Sequence, residues 1–512
     1  AAAEMTRFRH YVNENRSQNL GDYFDLYQWS TASPEEFWSS LWSFFQVVGQ
    51  GPGSVVVENL DLLPGARWFP EARLNYAENL LQAPDEQEAI VFRNENGNSS
   101  RLNFGELRAR AAAFAAALKA DGIMSGDRVV GFLPNIPEAI IAMLGVTSIG
   151  AVWSSCSPDF GVEGVLDRFS QIEPKVLVCA DGYFYGGKTH DSLEIAKRIQ
   201  ERLKSLRRTV VVSYTQSQPE LSLGNISFDE YLDAAGAVEP EYLRVPFDHP
   251  LFIMFSSGTT GLPKCMVHSV GGTLLQHLKE HRLHCDLRPE DRIFYFTTCG
   301  WMMWNWLVSA LGTGAAVMLY DGHPLKQREI LWDYARDEKI NIFGTSPKYL
   351  DTCQKNGLKP GLSHDLSHLR CILSTGSPLA PDTFDYVYRD VKNDVQLSSI
   401  SGGTDIISCF VLGNPVLPVR RGQLQSRGLG MKVKVFDGQG QPVVGVKGEL
   451  VCTVAFVSMP TGFWNDPQGQ RYHKAYFQRF ENIWCHGDFA ELKPQGGVVI
   501  HGRSDTVLNP GG

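Results

Sequence analysis

A buried strand that ends in a loop of glycines and hydroxyls most constrains the fold of this chain. Residues 251–255 (Leu-Phe-Ile-Met-Phe) form an apolar run that predicts a buried strand. Residues 256–264 follow at once with the sequence Ser-Ser-Gly-Thr-Thr-Gly-Leu-Pro-Lys. Glycine lets a backbone approach a ligand closely, and N–H groups, hydroxyls and a lysine suit phosphate oxygens. The segment therefore favours a phosphate-binding loop over a plain surface turn, although its spacing is not that of a Walker A loop.

Strands and helices alternate around this loop. A helix is predicted over Phe104–Ala120, where apolar residues recur at steps of four, three and four and Gly122 gives a C-terminal stop. The pattern predicts further elements in this order: strand 127–133, helix 137–148, strand 150–153 and strand 175–180. Such alternation predicts an α/β body of mainly parallel sheets with helices on both faces.

The character of the sequence changes near both ends of this body. The first 65 residues are rich in Trp and Phe and predict a helical layer packed on the α/β body, which we place at residues 66–405. After residue 405, short apolar runs at residues 432–436, 448–452 and 497–500 alternate with Gly, Asp and Pro turns. Residues 406–502 are therefore expected to form a small β-rich, barrel-like subdomain.

Bulk composition excludes several classes of protein. At 512 residues, two or more domains are expected, and the 43% hydrophobic and 20% charged content is ordinary for a globular protein. A net charge of −9 argues against nucleic-acid binding and a polybasic membrane patch. Ten scattered cysteines without a Cys-x-x-Cys pair predict a reduced, cytosolic chain. No uncharged run reaches the ~20 residues of a membrane span.

Six segments in order resemble the motifs of the adenylate-forming enzymes, which include acyl-CoA synthetases, luciferases and adenylation domains. They correspond to the phosphate loop, the acyl-pocket segment, the adenine-side loop, the Gly-x-Thr-Glu element, the ribose-binding aspartate and the hinge, in this order: residues 256–264, 343–347, 374–379, 402–405, 486–488 and 502–505. Within the family, residues 68–79 and 297–306 are most similar to synthetases that activate acetoacetate. The first segment also resembles acetyl-CoA-type synthetases more widely, and the second is the more specific sign.

The resemblance implies an AMP-forming acid–thiol ligase. It would join acetoacetate to coenzyme A through acetoacetyl-AMP, using ATP and Mg²⁺, in cytosolic fatty-acid and ketone-body metabolism. Two alternatives stay open: a synthetase for another short acid such as propionate, butyrate or hydroxybutyrate, and a nucleotide-binding homologue without catalysis. Neither nucleic acid nor a membrane is expected as a partner.

The resemblance also assigns residues to ATP. Thr404 would contact the α-phosphate, and Lys264 the β- and γ-phosphates; these two are the catalytic candidates. The remaining ATP-binding candidates belong to the phosphate loop, the adenine-side loop and the ribose site: Ser256, Ser257, Gly258, Thr259, Thr260, Gly261, Gly376, Ser377, Pro378, Asp488 and Arg503. For Asp488 and Arg503 the alternative is a surface salt bridge.

Asp405 is the expected metal ligand, because a carboxylate oxygen suits Mg²⁺. The family usually has glutamate at this position, and aspartate is one methylene shorter. The metal would then be held through water, or the loop would sit closer. The alternative for residues 403–405 is a turn with an Asp cap.

Four residues are assigned to the acyl pocket: Trp301, Asn305, Gly402 and Gly403. Acetate-specific relatives are expected to carry tryptophan two residues before the threonine of the Thr-Glu element, where this chain has Gly402. The hypothesis is that Gly402 lengthens the pocket for acetoacetate. Donors to the keto oxygen are sought among His268, Asn305 and Trp301, although the cluster of Trp301, Trp304 and Trp306 is typical of a core.

Three further predictions concern the periphery. Lys188 lies where related synthetases bind coenzyme A phosphates, with a solvated surface lysine as the alternative. His277, His281, His284 and Cys285 lie at near-helical spacing, and the flanking charges favour a solvated helix face over a metal site. Asp505 is the predicted hinge residue within residues 503–512, after which the family carries a mobile C-terminal α+β domain that supplies a catalytic lysine.

Overall fold

Two large sheets form the body of the protein. The computed structural model describes residues 2–222, 224–256 and 262–505. The first sheet has eight strands, in spatial order Asn225–Ser227, Arg208–Val212, Val176–Ala180, Arg128–Phe132, Val152–Cys156, Pro250–Ser256, Lys264–Ser269 and Gly462–Phe463. Its first six strands are parallel, and the seventh is antiparallel to both neighbours.

The second sheet has seven strands and is parallel except at one edge. Its spatial order is Gln396–Ser399, Cys371–Ser374, Ile342–Thr345, Arg292–Tyr295, Ala316–Asp321, Glu88–Asn94 and Ser99–Asn103. Only the last pair is antiparallel. The predicted parallel-rich α/β architecture is confirmed.

Smaller sheets complete the strand inventory. A four-stranded antiparallel sheet contains Val433–Phe436, Gly448–Cys452, Trp484–Leu492 and Val498–Arg503. Three-stranded sheets contain Ser401–Gly403 with Ser408–Leu412 and Ser426–Arg427, and Gly49–Gln50 with Arg73–Leu74 and Val245–Pro246. Two-stranded sheets pair Gly182–Tyr185 with Lys188–Asp191, and Val57–Glu58 with Arg67–Trp68.

Helices cover the sheets. In chain order the α-helices are Glu4–Asn15, Tyr23–Ala32, Pro34–Phe44, Tyr76–Leu80, Phe104–Ala120, Pro137–Ser148, Val162–Phe169, Leu193–Arg202, Phe228–Asp233, Val270–Leu278, Met302–Val308, Ile330–Asp337, Pro347–Lys355, Pro360–Ser363, Pro381–Tyr386 and Gln470–Tyr476. Shorter turns are the π-helices Lys279–His284 and Val387–Val391 and the 3₁₀ helices Ser309–Thr313 and Thr404–Ile406. None of the described helices combines the length and apolarity needed to cross a bilayer.

Local sequence explains where these elements begin. Helix Phe104–Ala120 starts with a capping box, in which the Asn103 side chain accepts from the Glu106 N–H and the Glu106 side chain accepts from the Asn103 N–H. Helix Pro137–Ser148 starts at a proline and is almost wholly buried beside the first sheet. Both helices have the predicted bounds, whereas the strand predicted at 150–153 runs over Val152–Cys156.

The N-terminal helices pack as a layer on the body. Trp38 is fully buried, and the Tyr27 hydroxyl donates to the carbonyl oxygen of Met431 at 2.9 Å. Arg282 of the body pairs with Glu4 at 2.7 Å. This layer therefore covers the 279–284 segment and residues near 430.

All ten cysteines are free, and nine of them are buried. Burial raises the pKa of Cys156 and Cys452 to about 12, so these thiols stay protonated and behave as small apolar side chains.

Candidate active site

A tight hairpin carries the two most informative site residues. Strands Ser401–Gly403 and Ser408–Leu412 pair antiparallel, and the 3₁₀ turn Thr404–Ile406 joins them. Ile407 completes the turn with a left-handed φ of 47°. The preceding strand, Gln396–Ser399, runs parallel to Cys371–Ser374, so the hairpin emerges at the carboxyl edge of the seven-stranded sheet. Ligands of open α/β sheets bind at this edge.

Side chains from residues 268–280 hydrogen-bond to the hairpin. His268 lies in strand Lys264–Ser269, and its Nε2 donates to the Thr404 carbonyl oxygen at 2.9 Å. His277 Nε2 donates to the Ile407 carbonyl oxygen at 2.6 Å. The Ser408 hydroxyl donates to Glu280 Oε1 at 2.6 Å. The turn is therefore fixed by buried hydrogen bonds as well as by its own strand pairing.

The expectation that His277, His281 and His284 lie on a solvated helix face is wrong, because all three are fully buried. Their ring nitrogens bond to backbone carbonyls instead: His281 to Trp306 at 2.7 Å and His284 to Gly413 at 2.8 Å. The flanking charges are buried too, or are paired with the N-terminal layer. Lys279, 3.8 Å from Glu280, donates to the Leu429 carbonyl at 3.2 Å.

Burial controls the charge of these histidines. It lowers the pKa of His268, His281 and His284 to about 3, so each is neutral near pH 7. The pKa of His277 is lowered for the same reason. A neutral imidazole has one donor nitrogen, and here that nitrogen is used on a backbone carbonyl.

Asp405 lies at the tip of the hairpin and faces Lys264. Lys264 Nζ lies 3.3 Å from Asp405 Oδ1 and 5.1 Å from the centre of the Tyr476 ring. The Tyr476 hydroxyl hydrogen-bonds the same carboxylate. Burial alone would raise the pKa of Asp405, but Lys264, His486 and Tyr476 outweigh it and hold the pKa below its usual value. Asp405 is therefore an ionised carboxylate at neutral pH.

A cavity of about 310 Å³ opens in front of this ion pair. Its walls carry both charge signs, and the residues that line it include Lys264, Asp405, Glu449, Lys474, Tyr476, Arg479, His486, Arg503 and Asp505. Four of these residues match sequence predictions, namely Lys264, Asp405, Arg503 and Asp505.

Asp488 and Arg503 face each other across two paired strands of the four-stranded sheet. Arg503 Nη1 lies 3.4 Å from Asp488 Oδ1, and Arg503 Nε lies 2.9 Å from Asp505 Oδ1. His486 Nε2 lies 3.7 Å from Asp488 Oδ2 and 3.2 Å from the Gly402 carbonyl oxygen. Burial raises the pKa of Asp488, against His486 and Arg503. The predicted ribose and hinge residues thus adjoin the Thr404 hairpin.

The adenine-side candidates lie one strand away from the hairpin. Gly376, Ser377 and Pro378 are exposed just after strand Cys371–Ser374, and Gly376 has a left-handed φ of 104°. The Thr375 hydroxyl donates to the Ile400 carbonyl oxygen at 2.9 Å, which links this loop to the start of the hairpin.

Part of the predicted phosphate loop lies outside the described residues, namely Ser257, Gly258, Thr259, Thr260 and Gly261. Its two ends are described and are paired across the sheet, Ser256 with Lys264. Ser256 Oγ is buried, and it has no hydrogen-bond partner among the described residues.

Gly402 does not open the space that its role in the acyl pocket requires. A Cβ atom at Gly402 would lie 2.0 Å from the Ser408 carbonyl oxygen and 2.6 Å from the Cys409 Cα. Both are backbone atoms of the paired strand, so the missing side chain permits close strand pairing. At Gly403 the nearest atom to a Cβ would be His486 Cε1 at 3.4 Å, an ordinary contact.

The other acyl-pocket candidates, Trp301 and Asn305, have different surroundings. Trp301 is 56% exposed at the start of helix Met302–Val308, whereas Trp304 and Trp306 are fully buried in the core. Asn305 is buried and lines a second, small cavity with Ser155 and Gly300. His268, a candidate donor to the keto oxygen, already donates to Thr404.

Lys188 lies on an exposed hairpin apart from the main cavity. Strands Gly182–Tyr185 and Lys188–Asp191 pair around the turn formed by Gly186 and Gly187. The structure therefore places Lys188 on the surface, where either a bound phosphate or plain solvation is compatible with its exposure.

Sequence reasoning did not assign several side chains that line the main cavity, among them Tyr476, Lys474, Arg479 and Glu449. Tyr476 stacks on Trp484 with ring centroids 3.9 Å apart, and its helix, Gln470–Tyr476, contacts strand Gly462–Phe463. Tyr476 and Lys474 reach the cavity through packing of this short helix, Arg479 follows the helix, and Glu449 comes from strand Gly448–Cys452, so no local pattern marks them.

Residues 77–460 match the family of AMP-binding enzymes. Residues 23–80 match a second family, described as the acetyl-coenzyme A synthetase N-terminus. The chain belongs to the AMP-binding enzyme family.

Named relatives refine this placement. The chain is 52% identical over 513 residues to the acetoacetyl-coenzyme A synthetase of Rhizobium meliloti (strain 1021), covering 99% of this chain and 78% of the relative. It is 48% identical over 522 residues to the acetoacetyl-CoA synthetase of Danio rerio, with the same coverage. A solved structure titled acetoacetyl-CoA synthetase from Streptomyces lividans matches with a TM-score of 0.95 and 44% identity, over 99% of this chain and 79% of that one.

Proposed function

We propose that this protein ligates acetoacetate to coenzyme A at the expense of ATP. The observation that carries the proposal is 52% identity, over almost the whole chain, to a protein named for this reaction. Four of the residues assigned from the motifs, Lys264, Asp405, Arg503 and Asp505, line one cavity, which supports the proposal. The activity is that of an AMP-forming acid–thiol ligase.

The reaction has two steps. A carboxylate oxygen of acetoacetate attacks the α-phosphorus of ATP, the bond to the β-phosphate oxygen breaks, and pyrophosphate leaves with the bonding electrons. The thiol sulfur of coenzyme A then attacks the acyl carbon, AMP leaves, and the thiol proton is lost. The first step joins two anions, so the protein must supply cationic groups and alignment.

Lys264 would neutralise the β- and γ-phosphates. It starts the strand that pairs with Ser256, so it projects from the same end of the sheet as the phosphate loop. Charge-assisted hydrogen bonds of this kind contribute roughly 1.5–3 kcal/mol each. Thr404, one residue before Asp405, would bond the α-phosphate, and its backbone is already fixed by His268.

Asp405 fits the Mg²⁺ that accompanies ATP. Its carboxylate is ionised and faces the cavity, and Mg²⁺ commonly uses one or two carboxylates together with substrate phosphates and water. When bound, the ion would neutralise phosphate charge. Asp488 would accept the ribose hydroxyls, with Arg503 beside it, and Gly376, Ser377 and Pro378 would flank the adenine.

The acid would enter beside the Thr404 hairpin. Gly403 would border the acid there, and Asn305 with Trp301 would form the more distant wall. Lys188 would bind phosphates of coenzyme A. In this assignment the acyl group and the nucleotide meet at Thr404, and the thiol arrives from a different direction.

Acid-dependent pyrophosphate exchange tests the proposal, with acetoacetate, acetate, propionate, butyrate and 3-hydroxybutyrate in parallel. We expect exchange with acetoacetate to exceed exchange with each other acid by at least tenfold, and thioester to form when coenzyme A is added. A preference for butyrate or hydroxybutyrate would replace the substrate but keep the reaction class. Nucleotide binding without exchange for any acid would contradict catalysis.

A further inference from the structure

Glu95 is a buried carboxylate for which the proposed chemistry has no role. It follows strand Glu88–Asn94 of the seven-stranded sheet, and it is only 2% exposed. Its backbone N–H donates to the Asp321 carbonyl oxygen of the neighbouring strand at 2.9 Å. A buried carboxylate needs strong partners, so its contacts indicate what it does.

Those partners are the backbone N–H groups of the hairpin that carries Lys188. The Gly186 N–H donates to Glu95 Oε2 at 2.9 Å, and the Gly187 N–H donates to Oε1 at 2.7 Å. The hairpin follows strand Val176–Ala180 of the eight-stranded sheet. Glu95 therefore joins a turn of one sheet system to a strand end of the other.

The turn has the geometry of a two-residue hairpin loop that glycines permit. Gly186 and Gly187 have φ of 63° and 81°, both left-handed, and Tyr185 pairs with Lys188 around them. This is the pattern of a type I′ turn. Its two N–H groups point to the same side, and Glu95 occupies both, so they are not free to cradle a phosphate.

Two more groups complete the surroundings of Glu95. The His323 N–H donates to Oε2 at 2.8 Å, and Lys326 Nζ lies 3.2 Å from Oε1. Burial alone would raise the pKa of Glu95, but these bonds outweigh it and lower the pKa, so the carboxylate stays charged. The Tyr185 ring also meets the His323 ring edge-on at 5.1 Å.

We infer that Glu95 is a positioning residue for the coenzyme A step, an inference that rests on the proposed role of Lys188. Glu95 fixes the two-glycine turn against the seven-stranded sheet, and the turn presents Lys188 to the phosphates of coenzyme A. Without this anchor the hairpin would keep its strand pairing, but its turn would lose the two hydrogen bonds that fix it against the seven-stranded sheet. The Tyr185–His323 ring contact would then remain at the end of the hairpin next to Lys188.

Comparing the two half-reactions tests this inference. Glu95→Gln keeps the shape of the side chain, but it replaces one acceptor oxygen by an NH₂ group. Because both oxygens accept from backbone N–H groups, that NH₂ group must face another donor. We expect the KM for coenzyme A to rise at least tenfold, with acetoacetate-dependent pyrophosphate exchange within twofold of the wild type. Lys188→Ala should raise the KM for coenzyme A similarly. Amide hydrogen exchange at Gly186 and Gly187 should quicken in Glu95→Gln.

Asp437→Asn is the matched control, because Asp437 Oδ1 also accepts two backbone N–H groups of a turn, from Gln439 and Gln441, both at 2.9 Å. It should leave the KM for coenzyme A unchanged. If Glu95→Gln does not fold, Glu95→Asp, whose shorter side chain reaches fewer of the N–H groups, takes its place.

Three results would overturn the inference: a KM within twofold of the wild type in folded Glu95→Gln, an equal loss in both half-reactions, or no effect of Lys188→Ala. Calorimetric titration with coenzyme A compares the affinities of the wild type, Glu95→Gln and Lys188→Ala for coenzyme A directly, and it does not depend on which acid the enzyme activates. Failure of the proposed substrate, seen in wild-type exchange alone, is therefore distinguishable from failure of this inference.

Discussion

At the scale of single residues, two adjacent glycines have opposite surroundings. A Cβ at Gly402 would lie 2.0 Å from a backbone oxygen of the paired strand, whereas one at Gly403 would first meet the His486 ring at 3.4 Å. Backbone atoms cannot move aside without breaking the strand pairing, but a ring edge at van der Waals distance needs no displacement. The two positions are therefore constrained for different reasons.

Alanine at the two positions should separate these reasons. We expect Gly402→Ala to lower the free energy of unfolding by about 1–3 kcal/mol through overpacking, and Gly403→Ala to change it by less than about 1 kcal/mol. Urea unfolding of both variants measures the difference. Equal losses of stability would show that the local backbone adapts at Gly402, and would restore the hypothesis that this position is open to side chains.

The sequence predicted which residues belong to the site better than it predicted where their side chains point and what they contact. Lys264, Thr404, Asp405, Asp488 and Arg503 were assigned from motif order, and the structure brings all five to one region. Three other features depend on packing between distant segments, so no local pattern could reveal them. They are the strand that a Cβ at Gly402 would meet, the burial of His277, and the contact of Tyr476 with Asp405.

At the scale of elements, the short helix Gln470–Tyr476 lines the cavity with its last turn, and its last residue contacts Asp405. Tyr476 stacks on Trp484 and hydrogen-bonds Asp405, whereas Tyr472, one turn earlier, donates to the Pro460 carbonyl oxygen at 3.1 Å. The helix thus has one hydroxyl that bonds a residue of the candidate site and one that bonds only the backbone of a neighbouring segment.

Removing these hydroxyls one at a time tests that division. Tyr476→Phe keeps the stacked ring but deletes a hydrogen bond to a charged group, worth about 1.5–3 kcal/mol. We expect the Mg²⁺ concentration for half-maximal pyrophosphate exchange to change at least fivefold. Tyr472→Phe, the control, should leave this concentration unchanged and lower stability slightly. Equal effects of both variants on the metal dependence would contradict a direct role for the Tyr476 hydroxyl.

Helix and strand boundaries followed from the sequence wherever the local signal was strong. The starts predicted at Phe104 and Pro137 are correct, and the structure shows a capping box at the first and a proline at the second. The segment 279–284 was misread because three charged side chains suggested solvent, while the N-terminal layer, far away in the chain, covers it.

At the scale of the whole molecule, buried neutral histidines couple stability to pH. His268, His281 and His284 have a pKa lowered from 6.5 to about 3 by burial. The unfolded chain therefore binds protons below pH 6.5 that the folded chain refuses, and stability falls as pH falls. Asp321 acts in the opposite direction, because burial raises its pKa to about 7 and the folded state takes up its proton first.

We expect a net loss of stability on acidification from pH 6.5 to pH 4.5. Each such histidine contributes about 1.4 kcal/mol per pH unit, and Asp321 offsets about one of the three. Urea unfolding across this range should show a shallower slope for His281→Asn than for the wild type. His10→Gln, a change at an exposed histidine, serves as the control and should keep the wild-type slope. An unchanged slope in His281→Asn would contradict the lowered pKa.

The close approach of Lys264 to Asp405 has a consequence for how the sequence can vary. Each charge is compensated by the other inside a partly buried cavity, so replacing one alone leaves an uncompensated ion, which costs far more than losing an exposed pair. Replacing only one of the two residues would therefore impair folding even when no ligand is bound. Among related sequences, a carboxylate is therefore expected at position 405 wherever position 264 is a lysine, and a loss of charge at one position should accompany a loss of charge at the other.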